Sequence, residues 1–369
     1  MSNCITVGCD LHEKSMLLKI AEGRGRAQTR VFQNDSAGRK AMIAYLRKRS
    51  AASGAKIVFA YEDSCQGFGL YDEVTDVGFE CYVLAPTRIA RSANHRRNKT
   101  DEKDADRILE ILRGHVLAGN ELPAVWVPDM QTREDREIVR ARLDLSDKRI
   151  SLKAQIKMLL KRSGLRKPPG IGKKWTNGYR AWLKCLTGSE TVSYGARVGL
   201  KTLLRQLEFV ESEIEILQRE VENLSQTERY FEYVKAMCKE KGVGVLTAMV
   251  FLTEVGDLNR FSNRRQMGAY LGLIPSSDES GESTDRKGHI THQGPHRVRK
   301  ALCQAVWSRV RTDEEEKRVY QRIVKKNPKH KKIAVVASMR RLAIRLWHIG
   351  VRIKKEGAWL PENGVNAVA

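Results

Sequence analysis

Short runs of alternating apolar and polar residues open the chain. CITVGCD from residue 4, SMLLKIAEG from residue 15 and RAQTRVFQN ending at residue 34 predict three strands separated by turn-like, polar residues. Ser36 is placed to cap a helix running to about residue 49, and AKIVFAYE (55–62) predicts a fourth strand. GLYDEVTDVG reads as a second helix, ECYVLAP (80–86) as a fifth strand and 101–114 as a further helix. Beyond about residue 130 the period changes to that of helices. Leu203, Leu207, Val210, Ile214, Leu217, Val221 and Leu224 alternate spacings of four and three, a heptad seam that predicts a coiled coil. A helix over 131–163 is available as its antiparallel partner, while RKPPGIGKKWTNG (166–178) is too rich in Gly and Pro to be helical. KEKGVGVLTAMVFLTEVGDLNRF then reads as two short helices joined by Gly242-Val243-Gly244, a helix-hairpin-helix-like turn.

Three strands, then helix, strand, helix, strand and helix is the order of an RNase H-like fold, although other α/β domains begin the same way. The expected class is therefore α/β plus α. An RNase H-like domain at 1–125 leads into a helical coiled-coil arm at 126–232. A second globular, mainly helical domain follows at 233–355, with a tail at 356–369. The arm suits dimerisation or the spacing of two domains.

Charge narrows the function. Lys and Arg total 67 against 44 Asp and Glu, a net charge of +23 spread along the whole chain. Such a surface favours nucleic acid. The longest apolar run, VGVLTAMVFL (243–252), is far below the ~20 residues of a membrane span. No signal peptide is expected at MSNCITVGCD. The seven cysteines are odd in number and lack CxxC spacing, which fits thiols used as small hydrophobes in a reducing compartment. The expected setting is the cytoplasm, with no membrane partner.

Within this basic chain, RRNKTDEKDADR (96–107) is interrupted by acids. On a helical wheel with Asp101 at zero, Ile108 and Leu112 lie within about 20° and Asp104 about 60° away. Glu102, Asp106 and Glu110 lie at or beyond about 100°. Asp101 and Asp104 are thus expected on the inward side and the other three in solvent. Inward carboxylates are costly unless a cation compensates them. Asp10 closes the first strand and Glu62 the fourth. Each could merely cap the segment that follows. Together, the four acids could hold two Mg²⁺ ions at ~4 Å separation, with Arg96, Arg97 and Lys99 gripping the phosphate backbone beside them. Gly242 and Gly244 would let backbone N–H groups approach a phosphate, or simply shape a helix hairpin.

In LGLIPSSDESGESTDRKGHITHQGPHRVRKAL (271–302), Ser280 precedes the freely turning Gly281. Arg286, Lys287, Arg297 and Arg299 could neutralise a phosphate under attack. Ser276, Ser277, Ser283 and Thr284 compete with Ser280 for that role on composition alone. His289, His292 and His296 have a spacing met in zinc sites, but Gly294-Pro295 keeps one helix from presenting all three.

These residues resemble the DEDD, RuvC-like insertion-sequence transposases, the family that includes Piv-type DNA invertases and bridge-RNA-guided recombinases. VGCD and the strand ending at Glu62 match its first two acidic motifs, and NKTDEKDADR its third and fourth at Asp101 and Asp104. GVGVLTAMVFLTEVGDLNRF, GAYLGLIP, ESG and GHITHQGPHRVRKAL follow the blocks of its serine-containing transposase domain in order. Lys241 replaces the family's usual Pro before the Gly-x-Gly turn, and Asp63 follows Glu62 where a small residue is common, making Asp63 the alternative ligand. The resemblance implies Mg²⁺ on the four acids and nucleophilic attack by Ser280. The product is a phosphoserine–DNA intermediate, religated without ATP. It also implies donor and target DNA, a structured non-coding guide RNA, a homo-oligomer (dimer or tetramer) and a site assembled from two domains, in a protein associated with the bacterial nucleoid. Two other readings stay open: a metal-dependent junction-resolving nuclease with an idle Ser280, and a nucleic-acid-binding protein without catalysis.

Overall fold

The computed structural model describes residues 4–89, 100–172, 174–277 and 287–355. The chain divides into two compact units, Met1–Val127 and Pro128–Ala369. The arm expected at 126–232 and the domain expected after it thus fall almost wholly in the second unit.

In the first unit the alternating runs form β1 (Cys4–Leu11), β2 (Ser15–Glu22), β3 (Gln28–Gln33), β4 (Lys56–Glu62) and β5 (Glu80–Leu84). They build one sheet in the order β3-β2-β1-β4-β5. The first three strands pair antiparallel, whereas β4 runs parallel to both β1 and β5. Helices α1 (Ser36–Ser53) and α2 (Gly69–Asp76) supply Met42, Leu46, Leu70 and Val74 to one core, which takes Ile5, Val7, Cys9, Phe59 and Tyr61 from the sheet. The opposite face, with Val58, Ala60, Tyr82 and Leu84, is covered by Ile108 and Leu112 of α3 (Asp101–Ala118). Alternation along β4 therefore decides which side chains meet α3. The cap of α1 is Asp35, whose side chain accepts from Gly38 N at 2.7 Å, rather than Ser36. The helix continues to Gly54, whose φ of 68° ends it in a left-handed turn.

Gly8 faces α3. A Cβ there would lie 2.5 Å from Leu109 N and 2.7 Å from Ala105 O, so the helix backbone rests directly on β1. Lys19 stands opposite Gly8 in the β1–β2 register and is buried. Its Nζ pairs with Asp106 at 3.3 Å. Asp106 is thus half-buried and ion-paired, where the wheel placed it in solvent.

In the second unit α4 (Met130–Arg162) runs against α6 (Tyr194–Ser225). Arg142 meets Gln218 and Lys153 meets Glu211, so the two are antiparallel. Leu200, Leu204, Leu207, Val210 and Ile214 fill the seam with Leu152, Ile156 and Leu160. Leu203, Leu217 and Leu224 of the expected heptad are only half-buried. An additional helix, α5 (Asn177–Leu186), begins inside the segment expected to be non-helical, because Thr176 caps it and Tyr179 and Leu183 join the same core.

The remaining helices are α7 (Phe231–Met237), α8 (Val245–Val255), α9 (Arg264–Tyr270), α10 (His296–Thr312), α11 (Glu314–Lys326) and α12 (Lys331–Lys355), with a two-stranded sheet of β6 (Pro275–Ser277) and β7 (Lys287–Ile290). Every residue of α8 from Ala248 to Val255 is buried. That explains its mostly apolar sequence, since it packs against α4, α6, α7 and α10, with the buried Glu254 paired to Arg140. Among the described residues no helix is long and apolar enough to cross a membrane.

Gly8→Ala should lower the stability of the first unit by ~1–3 kcal/mol by driving α3 off β1, and Gly8→Val by more. Gly178→Ala, where a Cβ meets nothing within 4 Å, should be neutral or slightly stabilising. Calorimetric unfolding of the full chain reads both.

Candidate metal centre

The site begins with strand register. Cys9 of β1 lies beside Tyr61 of β4 in a parallel pair. One residue further on, Asp10 and Glu62 stand side by side at the ends of the two strands. Gly8, Val58 and Ala60 all face α3, so alternation puts Asp10 and Glu62 on that face as well. Thr100 caps α3 by accepting from Lys103 N, which starts the helix at Asp101 beyond the strand ends. Because α3 is seated on Gly8, its first turn arrives beside Asp10.

The carboxylates are brought close but not equally. His12 Nε2 lies 2.9 Å from Asp10 Oδ2 and 3.3 Å from Asp101 Oδ1. One donor atom from each of Asp10, His12 and Asp101 falls within 4.8 Å of the others. Asp10 is deeply set, with 14% of its side chain exposed. Asp101 is 61% exposed, not inward as the wheel predicts. The wheel gives direction around the axis, and at the first turn "inward" points past the end of the sheet. Asp104 is half-buried and Glu102 exposed, as expected. Glu62 is half-buried at the strand end. Neither Glu62 nor Asp104 belongs to the three-donor set.

Burial pushes the Asp10 carboxyl above the ordinary range, and the charges of Asp104 and Asp101 add to the rise. His12 opposes it through its charge and hydrogen bond. Asp63 is also raised by burial, against a hydrogen bond from the Ser64 backbone. Like charges held together and partly dehydrated suit a divalent cation, and these oxygen donors are its preferred ligands.

The second-unit candidates have other surroundings. Gly242, at φ +83°, fits because a Cβ would meet Ala305 O at 2.5 Å, so its bareness admits α10. Gly244 has open space around its Cβ position and caps α8. Arg299 does not present a free guanidinium: it donates to the carbonyls of Leu271, His292, Gln293 and Gly294. That clamp follows from two backbone crossings, where Cβ atoms on Gly272 and Gly294 would collide with Gln293 O and Tyr270 O. Arg297 pairs with Asp144 at 2.9 Å. Lys287 opens β7. Ser280, Arg286, Arg96, Arg97 and Lys99 lie outside the described residues.

Two features escaped the reading of the sequence. His12 was legible only as the second residue after Asp10, a D-x-H spacing that puts both side chains on one side of an extended chain. Residues 317–332 hold eight Lys or Arg and no acid. Among the described residues only Lys317 of these has an acidic partner, Glu314. Trp307, 44% exposed, lies with Tyr320 beside this run, their ring centres 5.9 Å apart.

Comparison with known proteins identifies the family. Residues 7–164 match the transposase family model named for the DEDD transposases of IS110, and residues 235–321 match the model described as "Transposase IS116/IS110/IS902 family". A Sinorhizobium fredii protein described as "Putative transposase y4qE" is 32% identical over 307 residues, covering 82% of this chain and 71% of its own. The transposase for insertion sequence element IS1533 of Leptospira borgpetersenii is 25% identical over 318 residues, 83% of this chain and 86% of its own.

The raised Asp10 sets a pH dependence. A carboxyl with a raised folded-state pKa stabilises the fold at low pH, and that contribution is lost as pH rises through the raised value. A divalent cation binds the ionised form and reverses the trend. Added Mg²⁺ or Mn²⁺ should therefore raise the melting temperature more at pH ~8 than at pH ~5. Asp10→Asn should abolish the increment in thermal-shift measurements, and a shift that survives it would place the cation elsewhere.

Proposed function

The chain belongs to the IS116/IS110/IS902 family of insertion-sequence transposases, and on that basis we propose that it recombines DNA through a phosphoserine intermediate assisted by Mg²⁺. Transposases of this kind cut and rejoin DNA. The observation that carries the metal half of the reading is the three-donor set of Asp10, His12 and Asp101, with Glu62 ending the strand next to Asp10.

In the proposed reaction Ser280 Oγ attacks a scissile phosphorus and loses its proton. The O–P bond to Ser280 forms as the bond to the leaving deoxyribose oxygen breaks, and that oxygen takes up a proton. Attack by a hydroxyl of the partner DNA reverses the exchange and frees Ser280. The number of phosphodiester bonds is conserved, so no nucleotide cofactor is required. A bound Mg²⁺ would supply electrostatic stabilisation of the charge that develops on the phosphate. Asp10, Glu62, Asp101 and Asp104 would hold it, with Asp63 the alternative to Glu62. The serine assignment rests on the ESG block, and the assembly of Ser280 with the acids from two domains, or two subunits, belongs to the same proposal.

Partners follow from charge and from the arm. Residues 317–332 offer a run of cations beside the Trp307–Tyr320 pair, a combination suited to phosphate backbone and stacked bases. With Arg299 committed internally, this run is the better candidate for gripping the backbone. Arg96, Arg97, Lys99, Arg286, Lys287 and Arg297 remain proposed phosphate ligands near the chemistry. A structured guide RNA that selects donor and target by pairing is the proposed source of sequence choice. The α4–α6 pair is proposed as a coiled-coil arm. Tyr194, Val198, Phe209 and Ile216 are exposed within about 60° of one another on α6, which supports a homo-oligomer.

Trapping labelled DNA on the protein, in the presence of RNA that copurifies with it, tests the serine step. Ser280→Ala should lose the covalent adduct and at least ~10²-fold in recombination while keeping DNA affinity. If Ser280→Ala cuts like the wild type and Asp10→Asn does not, the protein is a metal-dependent nuclease instead. Absence of any discrete RNA species on sequencing the copurified nucleic acid would remove the guide from the proposal. Replacing Lys325, Lys326, Lys331 and Lys332 by Ala should weaken binding across DNA sequences. The slope of affinity against salt should flatten by ~0.9 for each phosphate that is no longer neutralised.

A further inference from the structure

The acids of the site are not its only potential donors. His12 follows the end of β1, and its backbone is tied on both sides: its N–H donates to Ser15 O at 2.9 Å and its carbonyl accepts from Asn34 Nδ2 at 2.6 Å. Asn34 is itself fixed, accepting from Arg39 Nε at 2.8 Å and donating to Gln66 Oε1 at 2.7 Å. The imidazole, although 44% exposed, therefore springs from an anchored stem. These bonds fix the point from which the ring reaches towards the carboxylates.

Its ring nitrogen sits where a coordination shell would put a ligand. Adjacent ligands on an octahedral ion with bonds of ~2.1 Å are separated by about 3.0 Å. His12 Nε2 lies 2.9 Å from Asp10 Oδ2 and 3.3 Å from Asp101 Oδ1, both close to that edge length. A single N–H cannot point well at two carboxylates in different directions, whereas one cation between the three donors satisfies all of them.

We infer that His12 Nε2 is a direct ligand of the divalent cation, together with Asp10 and Asp101, which makes this a mixed nitrogen–oxygen site. The inference rests on the acid-site reading of the proposed function. It changes the expected metal preference. Imidazole favours first-row transition metals, whereas Mg²⁺ prefers oxygen and water. His12 should therefore matter more for Mn²⁺ than for Mg²⁺.

The test is pulsed electron paramagnetic resonance on the full chain loaded with Mn²⁺, with no DNA and no turnover. The wild type should show hyperfine coupling to an imidazole nitrogen. His12→Gln should lose that coupling and weaken Mn²⁺ binding by ~10-fold or more, with a smaller loss for Mg²⁺ measured by competition. An unchanged melting temperature of metal-free His12→Gln checks that the fold is intact. Mn²⁺ bound without nitrogen coupling, but lost in Asp10→Asn, would overturn the His12 assignment and leave the acid site standing. Mn²⁺ binding that Asp10→Asn leaves unaltered would instead overturn the acid-site reading, and the His12 assignment with it.

Discussion

The bareness of Gly8 governs the first unit. A glycine at that point of β1 lets the backbone of α3 lie on the strand at Ala105 and Leu109, closer than any side chain would permit. The helix is thereby held at one height, with its first turn beside the ends of β1 and β4. The same close approach draws Asp106 over the buried Lys19, an ion pair that locks the helix in rotation as well as in height. Separating the pair would leave the buried Lys19 ammonium without this carboxylate, which is costly, so the pair resists rotation of α3.

The two units treat buried charge differently. In the second unit, Glu254 is gripped by both Arg140 Nε at 2.7 Å and Nη2 at 3.0 Å, and Arg309 reaches Glu240 at 2.7 Å. Those charges are matched and hold helices together. At the end of β1 carboxylates are gathered together instead. Burial drives Asp10 towards its neutral form, the charges of Asp104 and Asp101 add to the effect, and His12 is the partial counterweight. Gathering like charges at a partly buried strand end is costly, and such costs are characteristic of functional sites.

Much of the architecture could be read directly. Period-two alternation located all five strands of the sheet, and the change of period near residue 130 marked the passage to helices. Asp10 and Glu62 stood out as acids ending strands, and register brings them level because β1 and β4 are parallel neighbours. Other features needed the fold. Arg299 looks like any loop cation in the sequence, and its commitment to four carbonyls appears only once two chain segments cross at Gly272 and Gly294. Gly242 invites a phosphate-binding reading, yet its bareness is already required by α10. The short α5 emerged inside a Gly- and Pro-rich stretch because Tyr179 and Leu183 found a core to join.

By itself, then, the sequence determined which face of each element is apolar, where the acids fall along their strands and helix, and which family the motifs belong to. The tertiary structure alone decided that Asp101 is exposed at the rim, that Asp106 answers Lys19, and that His12 stands between two carboxylates. The reason is geometric. Periodicity along a chain encodes direction around an element's own axis. The level at which a neighbouring element ends, and the side chains that reach across the gap, depend on how closely two backbones can approach.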